Sequence, residues 1–93
     1  MPNPIDFKKV EELRKHMLIP VGDWVGILGA SRMTYYKWVN GMSTIRPKRQ
    51  DEVRVKIKSL LAAVANGWPA AEIKGLEPSE RTVKLLAQIG RLQ

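Results

Sequence analysis

Arg32, Met33, Tyr36, Lys37 and Asn40 are separated by one, three and four residues, a spacing that gathers side chains on one side of a helix. Cations, an amide and a hydrogen-bonding aromatic on one face are the groups that reach phosphates and base edges. Ser31 precedes them, where its hydroxyl can cap the helix and meet an anion at the helix N-terminus. Arg46, Lys48 and Arg49 follow, in a loop and at the start of a further helix. Cations at a helix N-terminus oppose the dipole and cost a few tenths of a kcal/mol each. Their placement points to an external anion, and a nucleic-acid phosphate suits it.

The rest of the chain offers little other chemistry. It has no cysteine, which removes disulfides, thiolate metal sites and thiol nucleophiles, and a single histidine, His16, expected near a helix end at the surface. The carboxylates form no catalytic pair. Asp23, Asp51 and Glu52 are expected in first helical turns, where they favour the dipole, and Glu11–Lys15 and Glu80–Lys84 have the i,i+4 spacing of surface pairs. The seven glycines mark turns singly and form no phosphate-cradling loop. No enzyme activity, cofactor, metal site or small-molecule substrate is expected.

Charge supports a polyanion partner. Sixteen Lys+Arg against nine Asp+Glu give +7. Residues 1–31 sum to zero and residues 59–93 to +1. Residues 32–58 hold eight cations (Arg32, Lys37, Arg46, Lys48, Arg49, Arg54, Lys56, Lys58) and two anions (Asp51, Glu52), for +6. Arg54, Lys56 and Lys58 fall on several faces of their helix and read as solvated surface.

Ninety-three residues make one small domain, which buries only roughly 60% of its unfolded surface, so dimerisation would help it. The 44% hydrophobic and 27% charged residues are the balance of a globular chain. No apolar run reaches the ~18 residues of a membrane span, and the first residues carry no signal-peptide stretch.

The elements that must position the candidate residues follow from Gly and Pro punctuation. Asp6 is expected to cap a first helix to about Leu18, with Phe7, Val10, Leu13 and Met17 inward. A second, from Val21 to Leu28 after Pro20, buries Trp24, Val25 and Leu28 and ends at Gly29. Ser31 caps a third, from Arg32 to about Val39, whose Tyr35, Trp38 and Val39 face inward and which Asn40-Gly41 closes. Met42 to Lys48 is a loop. A long fourth helix from about Lys48 to Asn66 carries Val53, Ile57, Leu60, Leu61 and Val64 on one side. Trp68-Pro69 is a break, Ala70 to Leu76 a single turn, and Ser79 caps a last helix to about Ile89 with Val83, Leu86 and Ile89 in line. The expected fold is all-α: a small bundle of four to five helices containing a helix-turn-helix. Residues 1–67 are its core unit. Residues 68–93 form a helical extension, within the same domain or as a dimerisation element.

Two short helices joined by Gly29-Ala30-Ser31 can hold the second at a steep angle, so that it projects. The run from Val21 to Gly41 resembles the helix-turn-helix of Cro/CI-type (XRE-like) phage and bacterial regulators. The match rests on Trp24, Leu28, Gly29, Ala30, Ser31, Arg32, Tyr35, Trp38 and Gly41, and spans 21 of the 93 residues. The family usually has alanine at the close contact between the two helices, where this chain has Val25 with Gly26 beside it. Its fourth and fifth helices are short, whereas residues 48–66 here read as one.

The resemblance implies sequence-specific binding of double-stranded DNA by a transcriptional regulator, a repressor rather than an activator, working as a homodimer. It implies a bacterial or phage-infected host cytosol. The third helix would lie in the major groove, with Arg32, Met33, Tyr36, Lys37 and Asn40 over base edges. Ser31, Arg46, Lys48 and Arg49 would meet the backbone. Trp24 and Trp38 could stack on unpaired bases, but their apolar-face spacing assigns them to the core. The alternative is a small helical protein-interaction module that binds and inhibits a host protein through Met33, Tyr36 and Trp68. A basic amphipathic helix over 48–66 on an anionic membrane is a third reading, set aside because its apolar stripe serves the core.

Overall fold

Asp6 accepts from the main-chain N–H groups of Lys8 and Lys9, at 3.1 and 3.4 Å, and so opens the first helix, α1 (Phe7–Met17). The computed structural model describes residues 4–92 and continues with α2 (Val21–Leu28), α3 (Arg32–Val39), α4 (Pro47–Ala65), a 3-10 turn (Ala71–Gly75) and α5 (Pro78–Leu92). There is no strand among the described residues. The protein is the expected small all-α bundle with a long fourth helix.

Four of the helices end in the same way. The second residue past α1 and α2 and the third past α3 and α4 donate five residues back: Ile19 to Arg14, Ala30 to Val25, Met42 to Lys37 and Trp68 to Ala63. These bonds satisfy carbonyls that a helix end otherwise leaves open. The residue just before each donor is left-handed, and it is glycine at three of the four ends. Gly29, at φ +78°, is the one on which the turn into α3 is built. Leu18 takes this role at the end of α1, one residue inside the reach expected for the first helix.

One core joins all the elements. Phe7, Val10 and Met17 of α1 meet Trp24, Val25 and Leu28 of α2 and Tyr35 and Trp38 of α3. Phe7 packs edge-on to Tyr35 and tilted against Trp38, with ring centroids 6.5 and 5.0 Å apart. Val53, Leu60 and Ala63 of α4 close the centre. Of the apolar stripe expected on this helix, Ile57 and Val64 are half-buried and Leu61 is exposed. Trp68, Ile73 and Leu85 lie in the same core, so residues 68–92 pack as part of the domain. The Trp68 indole N–H donates to the Met17 carbonyl at 2.9 Å, across 51 residues. The Trp68-Pro69 bond is cis.

The last helix departs from its expected start. It begins at Pro78, so Ser79 lies inside its first turn. Of the line Val83, Leu86 and Ile89, the first two are 67% and 49% exposed and Ile89 packs against the core, while Leu85 is buried. The inward face is largely polar and docks by hydrogen bonds. Arg81 donates to four carbonyls, those of Ile73, Leu76, Lys74 and Leu18, at 3.0 to 3.4 Å. Thr82 donates to the Asp23 carboxylate at 2.7 Å, and Gln88 to the Ala63 carbonyl at 3.1 Å.

Two helix-interior glycines face open space: a side-chain carbon at Gly26 in α2 or Gly90 in α5 would meet nothing within 4 Å. Among the described residues no helix is long and apolar enough to cross a membrane.

Candidate nucleic-acid interface

The turn Gly29-Ala30-Ser31 sets α3 against α2. Ser31 accepts the Thr34 main-chain N–H at 3.1 Å and donates to the Thr34 hydroxyl at 3.0 Å, which fixes the helix start. Tyr35 and Trp38 then fall into the core, and Arg32, Met33, Lys37 and Asn40 are left exposed, Met33 by 70%. These four occupy the outer face on which the sequence places them.

Arg32 rests with its guanidinium over the first turn of α2. A carbon added at Gly22 would lie 2.7 Å from its Nη2, so the missing side chain at Gly22 makes room for it. The remaining length of Arg32 is exposed, and a flexible arginine can turn outward from this position.

Tyr36 does not stand free on that face. It is half-buried, its ring centroid lies 5.4 Å from that of Tyr35, and its hydroxyl donates to Glu11 at 3.4 Å. Nor does Glu11 form the surface pair with Lys15 that its spacing suggests. Its carboxylate instead takes both guanidinium arms of Arg14, at 2.6 and 3.1 Å. The Arg14 bond is the main cause that holds the Glu11 carboxyl below its ordinary value, against the opposing effect of burial. Burial foremost, then the bond to Glu11, raises the Tyr35 phenol well above its ordinary value.

The cations after α3 gather beside the turn. Pro47 occupies the first turn of α4, one turn earlier than the acidic residues of that helix, so Asp51 and Glu52 fall in the second turn. The first turn therefore carries Lys48 and Arg49 with no carboxylate, and Arg46 stands at the cap position with no side-chain cap. Arg46 and Lys48 are exposed. Arg49 is half-buried and donates from Nη2 to the Gly29 carbonyl. It thus bonds the α2–α3 turn while its other N–H groups remain available for an anion. A hollow of about 320 Å³ lies here, lined by the hydroxyl residues Thr34, Ser43 and Thr44 together with Arg46 and Arg49.

Sequence reasoning missed several contributors. Thr34, Ser43 and Thr44 stand in line for no periodic pattern, although hydroxyls between two arginines are a compositional sign of an anion site. The Glu11–Arg14 spacing of three residues was legible, but its link to α3 depends on tertiary contact. Trp68, placed on the surface in the protein-interaction reading, is 4% exposed and belongs to the core. Among the described residues no group of three His, Cys, Asp or Glu side chains is placed to hold a metal ion. A scan against family models and searches of curated proteins and solved structures find no match to this chain.

Proposed function

We propose that this protein binds double-stranded DNA sequence-specifically as a transcriptional regulator, with α3 in the major groove. The observation that carries the reading is the bond from Arg49 to Gly29, which brings the basic start of α4 against the turn leading into α3. Exposed groups of base-reading type on α3 (Arg32, Met33, Lys37, Asn40) and backbone-contacting cations (Arg46, Lys48, Arg49) thereby share one end of the molecule. Ser31 caps α3 and offers the helix N-terminus to a phosphate. The likeness of residues 21–41 to Cro/CI-type regulators supports a repressor acting from the cytosol.

A homodimer fits this reading, since such regulators use half-sites about one DNA turn, roughly 34 Å, apart. Val83 and Leu86 are the apolar side chains that α5 leaves uncovered for a partner copy. Sedimentation of the wild type and of Val83→Lys tests the interface: a dimer that becomes monomeric supports it, and a wild-type monomer on and off DNA removes it.

Selection from random duplex DNA, followed by titration over a salt series, tests the function. An enriched motif with a large preference over random duplex supports a regulator. Weak binding without a motif, lost at physiological salt, reduces the charge to non-specific attraction. The alternative is a protein-interaction module, favoured by one observation: a mostly apolar groove of about 630 Å³ between α1 and α4, with Ile5, Val10, Leu13, Ile57 and Leu61 among its walls. Failure to select any motif moves that reading to first place.

A further inference from the structure

A carboxylate has about four acceptor positions, and those of Glu11 meet four donors. Oε1 accepts Arg14 Nε at 2.6 Å and the Tyr35 hydroxyl at 3.0 Å. Oε2 accepts Arg14 Nη2 at 3.1 Å and the Tyr36 hydroxyl at 3.4 Å. The third arm of Arg14 donates to the Ile19 carbonyl at 2.9 Å, in the corner that leads into α2. One network therefore ties α1, the start of the α2–α3 unit and two adjacent residues of α3.

Its position has two consequences. Tyr35 and Tyr36 are successive residues about 100° apart around α3, so two bonds from them to one carboxylate resist rotation of that helix about its axis, where a single bond would act as a pivot. The side chain of Glu11 is only 12% exposed and that of Arg14 16%, so the carboxylate is shielded and its charge is matched by a forked guanidinium. A bare carboxylate beside a phosphate-binding helix would repel the ligand. Paired in this way, it holds α3 without that repulsion.

We infer that Glu11 is a positioning residue for α3: by holding both tyrosine hydroxyls it sets the rotation of the helix, and so which of Arg32, Met33, Lys37 and Asn40 reach the bases. The inference rests on the DNA-binding reading for its functional meaning. The orientation of α3 can be measured without DNA.

The test compares the wild type with Glu11→Gln, Tyr36→Phe and the double variant. Residual dipolar couplings of main-chain amides, recorded without DNA, report the rotation of α3 about its axis through the phase of their periodic variation along the helix, together with its angle to α4. We expect the α3 couplings to change in Glu11→Gln and in Tyr36→Phe, while those of α4 and α5 stay fixed. Unchanged α3 couplings overturn the inference, whatever the DNA results. Tyr36→Phe removes one hydroxyl and keeps the ring, so it serves even where Glu11→Gln fails to fold.

On DNA, the preference of the selected motif over random duplex should fall about tenfold in Glu11→Gln, the size of a partly lost base contact. Its affinity for random duplex should stay unchanged. Tyr36→Phe should add nothing in the Glu11→Gln background. A lower melting temperature with the preference intact makes Glu11 structural only and overturns the inference. A full Tyr36→Phe loss in both backgrounds also overturns it, because the hydroxyl then acts on DNA directly. A wild type that selects no motif sinks the DNA reading, and the couplings still decide the role of Glu11.

Discussion

The guanidinium of Arg49 donates to the main-chain carbonyl of Gly29, so a cation of α4 is bonded to the residue on which the α2–α3 turn is built. Arg46, three residues earlier, has no such bond through a side-chain cap and is exposed. The two arginines should therefore respond differently to removal. Arg49→Met should lower stability by about 1 kcal/mol, below the full value of a charged hydrogen bond because the group is half-exposed. It should also weaken binding to every duplex. Arg46→Ala should leave the melting temperature in place and reduce the salt dependence of DNA binding by about one unit of slope. Chemical denaturation and salt titrations of both variants check the contrast, and equal stability losses would count against a latch at Arg49.

Arg32 carries the sharpest prediction about sequence reading. Arg32→Ala should cost about 1–3 kcal/mol on the selected motif and blur one base position. An equal loss on random duplex would instead make it a backbone contact. Gly22→Ala probes the same side chain from below: the added carbon would lie 2.7 Å from Arg32 Nη2 and must displace it. The displaced group is the far end of a flexible side chain, so stability should hold while the base preference at the Arg32 position changes.

The pH dependence of stability follows from Glu11 and Tyr35. Glu11 is held below its ordinary value of 4.5 by Arg14 first and Tyr35 next, with Lys15 adding a smaller effect. A carboxyl with a lowered folded-state pKa stabilises fully above the unfolded value and loses that contribution as pH falls through the folded one. Melting temperatures should drop as pH falls below about 4.5, and Glu11→Gln should flatten that limb. Tyr35 gives the opposite sign: its raised phenol stabilises fully below 10.0, and the contribution is lost as pH rises beyond it. Tyr35→Phe should remove that alkaline share.

Trp68 tests whether the chain beyond residue 67 belongs to the domain. Trp68→Phe should cost about 1–3 kcal/mol for the unpaired Met17 carbonyl, with a further loss for the smaller ring. A chain ended at residue 67 loses Trp68, Ile73 and Leu85 from the core. At about 1.5–3 kcal/mol for each large buried side chain, that exceeds the stability of many small domains. Circular dichroism of the shortened chain should report an unfolded state, and a cooperative melt would contradict it.

Much of α2 and α3 was legible because their ends are marked locally. Ser31 caps, Gly29 turns, and a three-residue connection leaves little freedom between them. The side on which Tyr36 lies was not legible, because it depends on an acceptor 25 residues away in sequence. Which face of α5 packs inward was not legible for a different reason. Arg81, Thr82 and Gln88 dock the helix through hydrogen bonds, so its polar side faces inward and Val83 and Leu86 stay outside. Apolar periodicity identifies the buried stripe only where burial is apolar. Pro47 falls in the expected loop, yet proline suits a first helical position, and its place there moves Asp51 and Glu52 out of the first turn.

Gly26 and Gly90 lie inside helices with open space where a side chain would stand. Alanine at either site should raise stability by about 0.5–1 kcal/mol, measurable as an upward shift in the denaturation midpoint. Reading surfaces diversify by substitutions that often weaken the fold, and a lineage can absorb such changes only while folding survives them. Gly26 on α2 and Gly90 on α5 both lie outside α3, so alanine at these two sites would give the fold a margin against destabilising substitutions on the exposed face of α3.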